Sequence, residues 1–163
     1  MANKTINIIL NGESREYTID VRLSLTDLLR GEAHLHSVKK GCEVGECGCC
    51  TVLINGEPIN SCIYLAIWAD GKQIRTLESL TKPDGSLSDI QQAFIDEGAV
   101  QCGFCTPGFI MSSIPLIESD RKLTREEIRR GVAGNLCRCT GYENIINAIE
   151  KTAEARRKRK ENN

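Results

Sequence analysis

At 163 residues and a formal net charge of −1, the chain is long enough for one large domain or two small ones, but not for a large substrate pocket beside its core. Acids and bases nearly balance, which gives no whole-chain case for nucleic acid or an anionic membrane as partner, and no apolar run reaches the roughly 18 residues of a membrane span. Nine cysteines follow an opening, Met1-Ala2-Asn3-Lys4-Thr5, that leads into strand-like alternation where a signal peptide would be apolar, so a soluble cytoplasmic protein is expected and a disulfide framework is not.

Ile6, Ile8 and Leu10 alternate with Thr5, Asn7 and Ile9, and Tyr17, Ile19 and Val21 alternate after Ser14-Arg15-Glu16. Between the runs Asn11-Gly12 is the dipeptide of a type I′ turn, which predicts an opening β-hairpin. Ser24 should cap a short helix carrying Leu25, Leu28 and Leu29 on one face, and Gly31 should stop it.

Gly41-Cys42-Glu43-Val44-Gly45-Glu46-Cys47-Gly48-Cys49-Cys50 places four cysteines and three glycines in ten residues. It is too dense in thiols for packing and too rich in glycine for a helix or regular strand, so a loop wrapped around a sulfur-binding group is expected. Cys42, Cys47 and Cys50 have the spacing C-x4-C-x2-C, and with Cys62 they make the plant-type ligand pattern of a 2Fe-2S cluster. Thr51-Val52-Leu53-Ile54 reads as a strand, Asn55-Gly56 as a second tight turn, and Ile59-Asn60-Ser61-Cys62 as the returning strand that brings Cys62 back to the loop. Residues 63–69 fit a helical turn or a strand, and Ile74-Arg75-Thr76-Leu77 a final strand. This order suits a small β-grasp sheet of the ferredoxin kind.

The turn-rich Thr81-Lys82-Pro83-Asp84-Gly85 marks a domain boundary, which divides the chain into 1–80 and 81–163. Beyond it the period is helical. Ser88 should cap a helix with Ile90, Ala93, Phe94 and Ile95 that ends at Gly98, and Pro107 suits the first turn of a second helix, which Pro115 should kink or end early. Thr124 and Glu127 form a capping box for a third helix with Ile128 and Val132, ending near Gly134, and a fourth begins near Tyr142 or Glu143. The basic run Ala155-Arg156-Arg157-Lys158-Arg159-Lys160 reads as a solvated, frayed end. The fold class is therefore α+β, a sheet domain followed by a four-helix bundle.

The helical half holds a second thiol set. Cys102 and Cys105, in a C-x2-C, join its first two helices, and Cys137 and Cys139, in a C-x-C, join its last two, so four thiolates can converge at one end of the bundle. A lone C-x2-C is also shared by thioredoxin-like dithiols and zinc knuckles. With C-x-C and a complete plant-type set beside it, it points to a second 2Fe-2S cluster, and zinc remains the alternative. A negatively charged cluster needs many nearby donors, which Gly41, Gly45, Gly48, Gly103 and Gly108 allow the backbone to provide. Eight thiols fill the two sets, so Cys49 is expected to be a small apolar residue, and His34 and His36 to be surface or packing residues.

The passages Ser37-Val38-Lys39-Lys40-Gly41-Cys42, Gly45-Glu46-Cys47-Gly48-Cys49-Cys50-Thr51-Val52, Gln101-Cys102-Gly103-Phe104-Cys105-Thr106-Pro107-Gly108 and Gly134-Asn135-Leu136-Cys137-Arg138-Cys139-Thr140-Gly141-Tyr142 resemble the iron-sulfur subunit of the molybdenum hydroxylases, the xanthine dehydrogenase family. The resemblance covers nearly the whole chain. It departs at Cys49, where the family usually has alanine. It implies a hetero-oligomer with a molybdopterin-binding large subunit, where substrate is hydroxylated, and usually an FAD-binding medium subunit. It implies further that the cluster on Cys102, Cys105, Cys137 and Cys139 lies nearest the molybdenum cofactor, with Gln101 and Cys139 contacting the pterin. The cluster on Cys42, Cys47, Cys50 and Cys62 would then sit on the flavin side. No catalytic residue is expected, and this chain alone should turn nothing over. The passage from Ser61 to Lys72 with 74–78 most resembles bacterial xanthine dehydrogenases; nicotinate, aldehyde and carbon monoxide dehydrogenases have similar small chains, and a free-standing ferredoxin or redox sensor is a further alternative.

Overall fold

The computed structural model describes residues 2–119 and 121–162; Met1, Asp120 and Asn163, which fall within the two expected domains, lie outside the described residues. Among the described residues, the strands β1 (Asn3–Leu10), β2 (Glu13–Asp20), β3 (Thr51–Ile54), β4 (Glu57–Asn60) and β5 (Gln73–Arg75) form one mixed sheet in the order β2-β1-β5-β3-β4. Leu10 stands opposite Glu13, leaving only Asn11 and Gly12 between β1 and β2, at φ of 52° and 90°, the two positive values that a type I′ turn requires. The Asn11 side chain then fixes β5 beside β1: its Oδ1 accepts from Thr76 N–H at 2.8 Å and its Nδ2 donates to the Thr76 hydroxyl at 2.9 Å. Asn55 does the same from the second hairpin, accepting from Gln73 N–H at 2.9 Å.

The helix after Ser24 starts as expected, with the Ser24 hydroxyl accepting from Asp27 N–H at 3.0 Å. The short α1 (Leu25–Asp27) runs into a single π-helical turn, Leu28–Glu32, and Gly31 lies inside it without stopping it. The chain leaves the helix at His34, whose φ of 56° is the left-handed conformation found after helix ends. Burial of Leu25, Leu28 and Leu29 against the sheet holds the extra turn in place. The returning strand of the second hairpin is also shorter than expected. Ser61 is buried, and its hydroxyl donates to the Cys50 carbonyl at 2.7 Å, so the ladder gives way to a 3-10 turn, Ser61–Ile63, which carries Cys62. Residues 63–69 hold a single bridge between Leu65 and Ser24 and a 3-10 turn, Ala66–Ala69.

After a linking 3-10 turn (Leu77–Leu80) come α2 (Asp89–Asp96), α3 (Thr106–Glu118), α4 (Arg125–Gly131) and α5 (Glu143–Glu161). Gln91 accepts from the backbone N–H and hydroxyl of Ser88 at 2.9 and 2.7 Å, and Glu127 accepts from Thr124 N–H at 2.7 Å, so both helix starts are capped. Phe94, Phe109, Ile110, Ile114, Ile128 and Ile149 form the core of this half, while Ile95 lies outside it on the solvent face of α2. The chain stays helical past Pro115 to Glu118: the interior proline costs about 3 kcal/mol, which burial of Ile114 and Ile117 on either side, at about 1.5–3 kcal/mol each, offsets. The basic run is helical too, against the expectation of a frayed end. Arg156 grips Asp89 at the start of α2 at 2.6 and 2.8 Å, which ties the last turns of α5 down.

The alternation of β3 divides the cores. Val52 and Ile54 join Ile6, Ile8, Leu28 and Ile74 in the sheet core, while Leu53 faces the other way into the helical core beneath α3. Among the described residues no helix is long and apolar enough to cross a membrane.

Glu78 pins the approach to the thiol loop. Its carboxylate accepts from Ser37 N–H at 3.0 Å, the Ser37 hydroxyl at 2.6 Å and the Thr76 hydroxyl at 2.6 Å. Burial would raise its pKa, but these donors outweigh burial and hold it below the usual carboxylate range. Glu78→Gln should cost about 1–3 kcal/mol near neutral pH, because the new amide turns a donor toward existing donors. Since a depressed carboxylate stabilises only while ionised, the gap between the parent and variant in urea unfolding should narrow as the pH falls through the folded pKa of Glu78.

Candidate metal centre

The loop 41–50 is curled by bonds at both ends. Lys39 N–H donates to the Cys49 carbonyl at 3.2 Å, Thr51 N–H donates to that of Gly48 at 3.1 Å, and the Asn60 amide donates to that of Gly45 at 2.6 Å. The curl turns three backbone N–H groups, those of Val44, Glu46 and Cys47, toward Cys42 Sγ at 3.5, 3.3 and 3.4 Å. Those donors lower the Cys42 pKa to about 6, which favours the thiolate that a metal binds. Cys47 lies beside Cys42, and Cys50 lies beside Cys62, whose thiol burial pushes up to about 11. Gly41 leaves room for this: a Cβ there would come within 2.8 Å of Cys47 Sγ.

The second set is aimed by helix ends. Cys105 sits at the N-terminus of α3, Cys102 three residues earlier, and Cys137 and Cys139 in the connection from α4 to α5. Cys102 and Cys139 have their sulfurs 3.6 Å apart, and Cys105, pushed up to about 12 by burial, lies beside Cys137. Burial also acts on Cys137, but the hydroxyl and N–H of Thr140, at 3.2 and 3.4 Å from its sulfur, outweigh it and lower its pKa. Tyr142, at φ 69°, accepts the Cys137 N–H at 3.1 Å and turns its ring edge toward Phe109.

The eight sulfurs thus stand as four pairs: Cys42 with Cys47, Cys50 with Cys62, Cys102 with Cys139, and Cys105 with Cys137. Bonds of about 2.3 Å to a tetrahedral metal put two sulfurs of the same metal about 3.8 Å apart, close to the 3.6 Å of Cys102 and Cys139. Two pairs per site fit a two-metal centre with bridging sulfide. The N–H groups on Cys42 and Cys137 are the donors that a negatively charged cluster needs.

Cys49 is buried beside these pairs, its thiol next to that of Cys47 and donating to the Cys47 carbonyl at 3.8 Å, and burial pushes it up to about 12. Gln101 and Cys139 are exposed, as are His34 and His36, whose rings lie 6.5 Å apart. Sequence reasoning missed a bridge between the two sites. Leu136 N–H donates to the Cys47 carbonyl at 2.9 Å and the buried Asn135 amide donates to the Gly48 carbonyl at 3.0 Å, across 87 residues. Gly48, at φ 68°, and Gly108 make that contact possible, because a Cβ on Gly48 would strike the Asn135 side chain and one on Gly108 the Gly48 carbonyl oxygen.

Comparison with known proteins gives a consistent picture. A family profile described as a 2Fe-2S iron-sulfur cluster binding domain matches residues 8–76, and one described as a 2Fe-2S binding domain matches residues 76–150. The xanthine dehydrogenase iron-sulfur-binding subunit of Escherichia coli O157:H7 is 54% identical over 91% of this chain and 95% of its own length. The nicotinate dehydrogenase small FeS subunit of Eubacterium barkeri is 48% identical over 92% of this chain and 95% of its own. A chain in the crystal structure of quinoline 2-oxidoreductase from Pseudomonas putida 86 superposes with a TM-score of 0.91 at 41% identity, covering 96% of this chain and 97% of that one.

In the metal-free protein at pH 7, Cys42 should be mostly thiolate, and Cys49 and Cys105, near 12, almost wholly protonated. Mass spectrometry after brief iodoacetamide treatment should find Cys42 alkylated well before the other two, and lowering the pH below 6 should slow it toward their rate.

Proposed function

Because the chain belongs to the family of iron-sulfur subunits of the molybdenum hydroxylases, we propose that it carries electrons from a molybdopterin centre on a large partner subunit toward FAD on a medium one. The observation that carries this reading is the presentation of eight thiols as two pairs in each of two sites. We assign Cys42, Cys47, Cys50 and Cys62 to one 2Fe-2S cluster and Cys102, Cys105, Cys137 and Cys139 to the other. Each bound cluster supplies a one-electron carrier. The donors of the chain do the tuning: N–H groups of Val44, Glu46 and Cys47 stabilise negative charge at Cys42, and Thr140 does so at Cys137.

The strand order and its parallel β1–β5 pair support reading the first half as a β-grasp, and the shared core of α2 to α5 supports a four-helix bundle after a boundary near residue 81. We assign the pterin contact, on the molybdenum side, to Gln101 and Cys139; their exposure supports this reading. Apolar side chains left exposed next to both sites, Val44 at 64% and Ile63 at 60%, Phe104 at 46% and Leu136 at 54%, suit faces that partner subunits cover. Identity to the xanthine dehydrogenase subunit favours a xanthine or purine substrate for the whole complex; nicotinate and aldehydes are the alternative substrates.

Native purification should yield about four irons and four sulfides per chain, two distinct reduced 2Fe-2S signals and a co-purifying molybdenum subunit, with turnover of xanthine ahead of nicotinate or aldehydes. Zinc without sulfide would overturn the assignment. Cys137→Ser should lose one cluster and disorder residues 101–108 and 134–142, while the cluster near Cys42 persists; iron per chain should fall to about half. Loss of both clusters together would refute the division into two sites.

A further inference from the structure

One strip of backbone joins the two thiol sets. Cys47 accepts from Leu136 N–H at 2.9 Å, and Leu136 is followed directly by Cys137. A continuous path of covalent bonds and this one hydrogen bond therefore runs from the sulfur of Cys47 to that of Cys137. Side chains elsewhere on the loops do not set the path; the positions of the two peptides do.

What holds those peptides is the residue before Leu136. Asn135 is 5% exposed, and its amide donates to the Gly48 carbonyl at 3.0 Å, the peptide next to Cys47. The same carbonyl accepts from the Thr51 hydroxyl at 2.7 Å and from Thr51 N–H at 3.1 Å, so it is anchored to β3 from one side and to the connection between α4 and α5 from the other. The start of α3 closes the third side, since Gly108 packs against the Gly48 oxygen too closely for any side chain. A carbonyl gripped from the sheet and from the helical half cannot drift without moving the Leu136–Cys47 bond. The grip is dry, so leaving either partner unmade costs about 1–3 kcal/mol.

We propose that Asn135 is a positioning residue that sets the separation and electronic coupling of the two iron-sulfur centres, by clamping Gly48 and thereby holding Leu136 N–H on Cys47. This rests on the assignment of a 2Fe-2S cluster to each thiol set. The Asn135 side chain hydrogen-bonds to a backbone carbonyl, that of Gly48. It acts through the peptides of Cys47 and Leu136.

The test uses the purified complex with Asn135→Asp, which keeps the volume but removes the donor, and Asn135→Ala, which removes both. Iron and sulfide are counted first, and the dithionite-reduced complex is then examined by low-temperature electron paramagnetic resonance for spin–spin splitting between the two centres. Both variants should keep about four irons per chain and lose or markedly reduce the splitting, with the line shape of each separate centre unchanged. Parental splitting in both variants overturns the proposal. Iron falling to half or less in both also overturns it, because Asn135 would then be needed to build a site and not to align two. Parent complex without iron and sulfide would instead refute the cluster assignment itself.

Discussion

A thiolate pair must be brought to each metal with its charge already answered by donors, and every local feature near the two sites serves that constraint. Sulfur is a weak acceptor when neutral and a costly buried charge when ionised, so a ligand loop has to turn N–H groups inward while leaving no room for water. Around Cys42 the curled loop turns in the amides of Val44, Glu46 and Cys47. Around Cys137 the work falls to Thr140, through both its backbone and its hydroxyl. The sheet and the helices are the supports that keep these two short stretches at fixed bearings.

Much of this could be read directly from the residues. Asn11-Gly12 and Asn55-Gly56 are two-residue turns with a mechanism, and the Ser88 and Thr124 caps announce helix starts, because in each case the interacting groups lie within a few residues. The thiol spacings belong to the same class: the cysteines that stand together in one loop lie within a few residues of one another. Where expectation failed, a distant partner had decided the outcome. Leu25, Leu28 and Leu29 carry the first helix past Gly31 through burial on the sheet. Arg156 makes a helix of the basic tail by reaching Asp89, 67 residues away. The Asn135 contact with Gly48 spans still more of the chain and has no periodicity or motif chemistry of its own.

Cys49 shows how position overrides composition. It sits within a run of cysteines, yet its side chain is buried and its thiol held protonated, whereas Cys42, seven residues earlier, faces inward-turned amides that lower its pKa. Identical side chains in one loop are thus sorted by the direction in which the backbone turns them.

Leu53 carries a last implication. Its neighbours on β3 belong to the sheet interior, while it is itself part of the packing under α3, so the two halves share a wall. A fragment severed at the linker would bare this wall to water. Two thiol sites that stand on one wall keep their bearings to each other even where a single loop gives way.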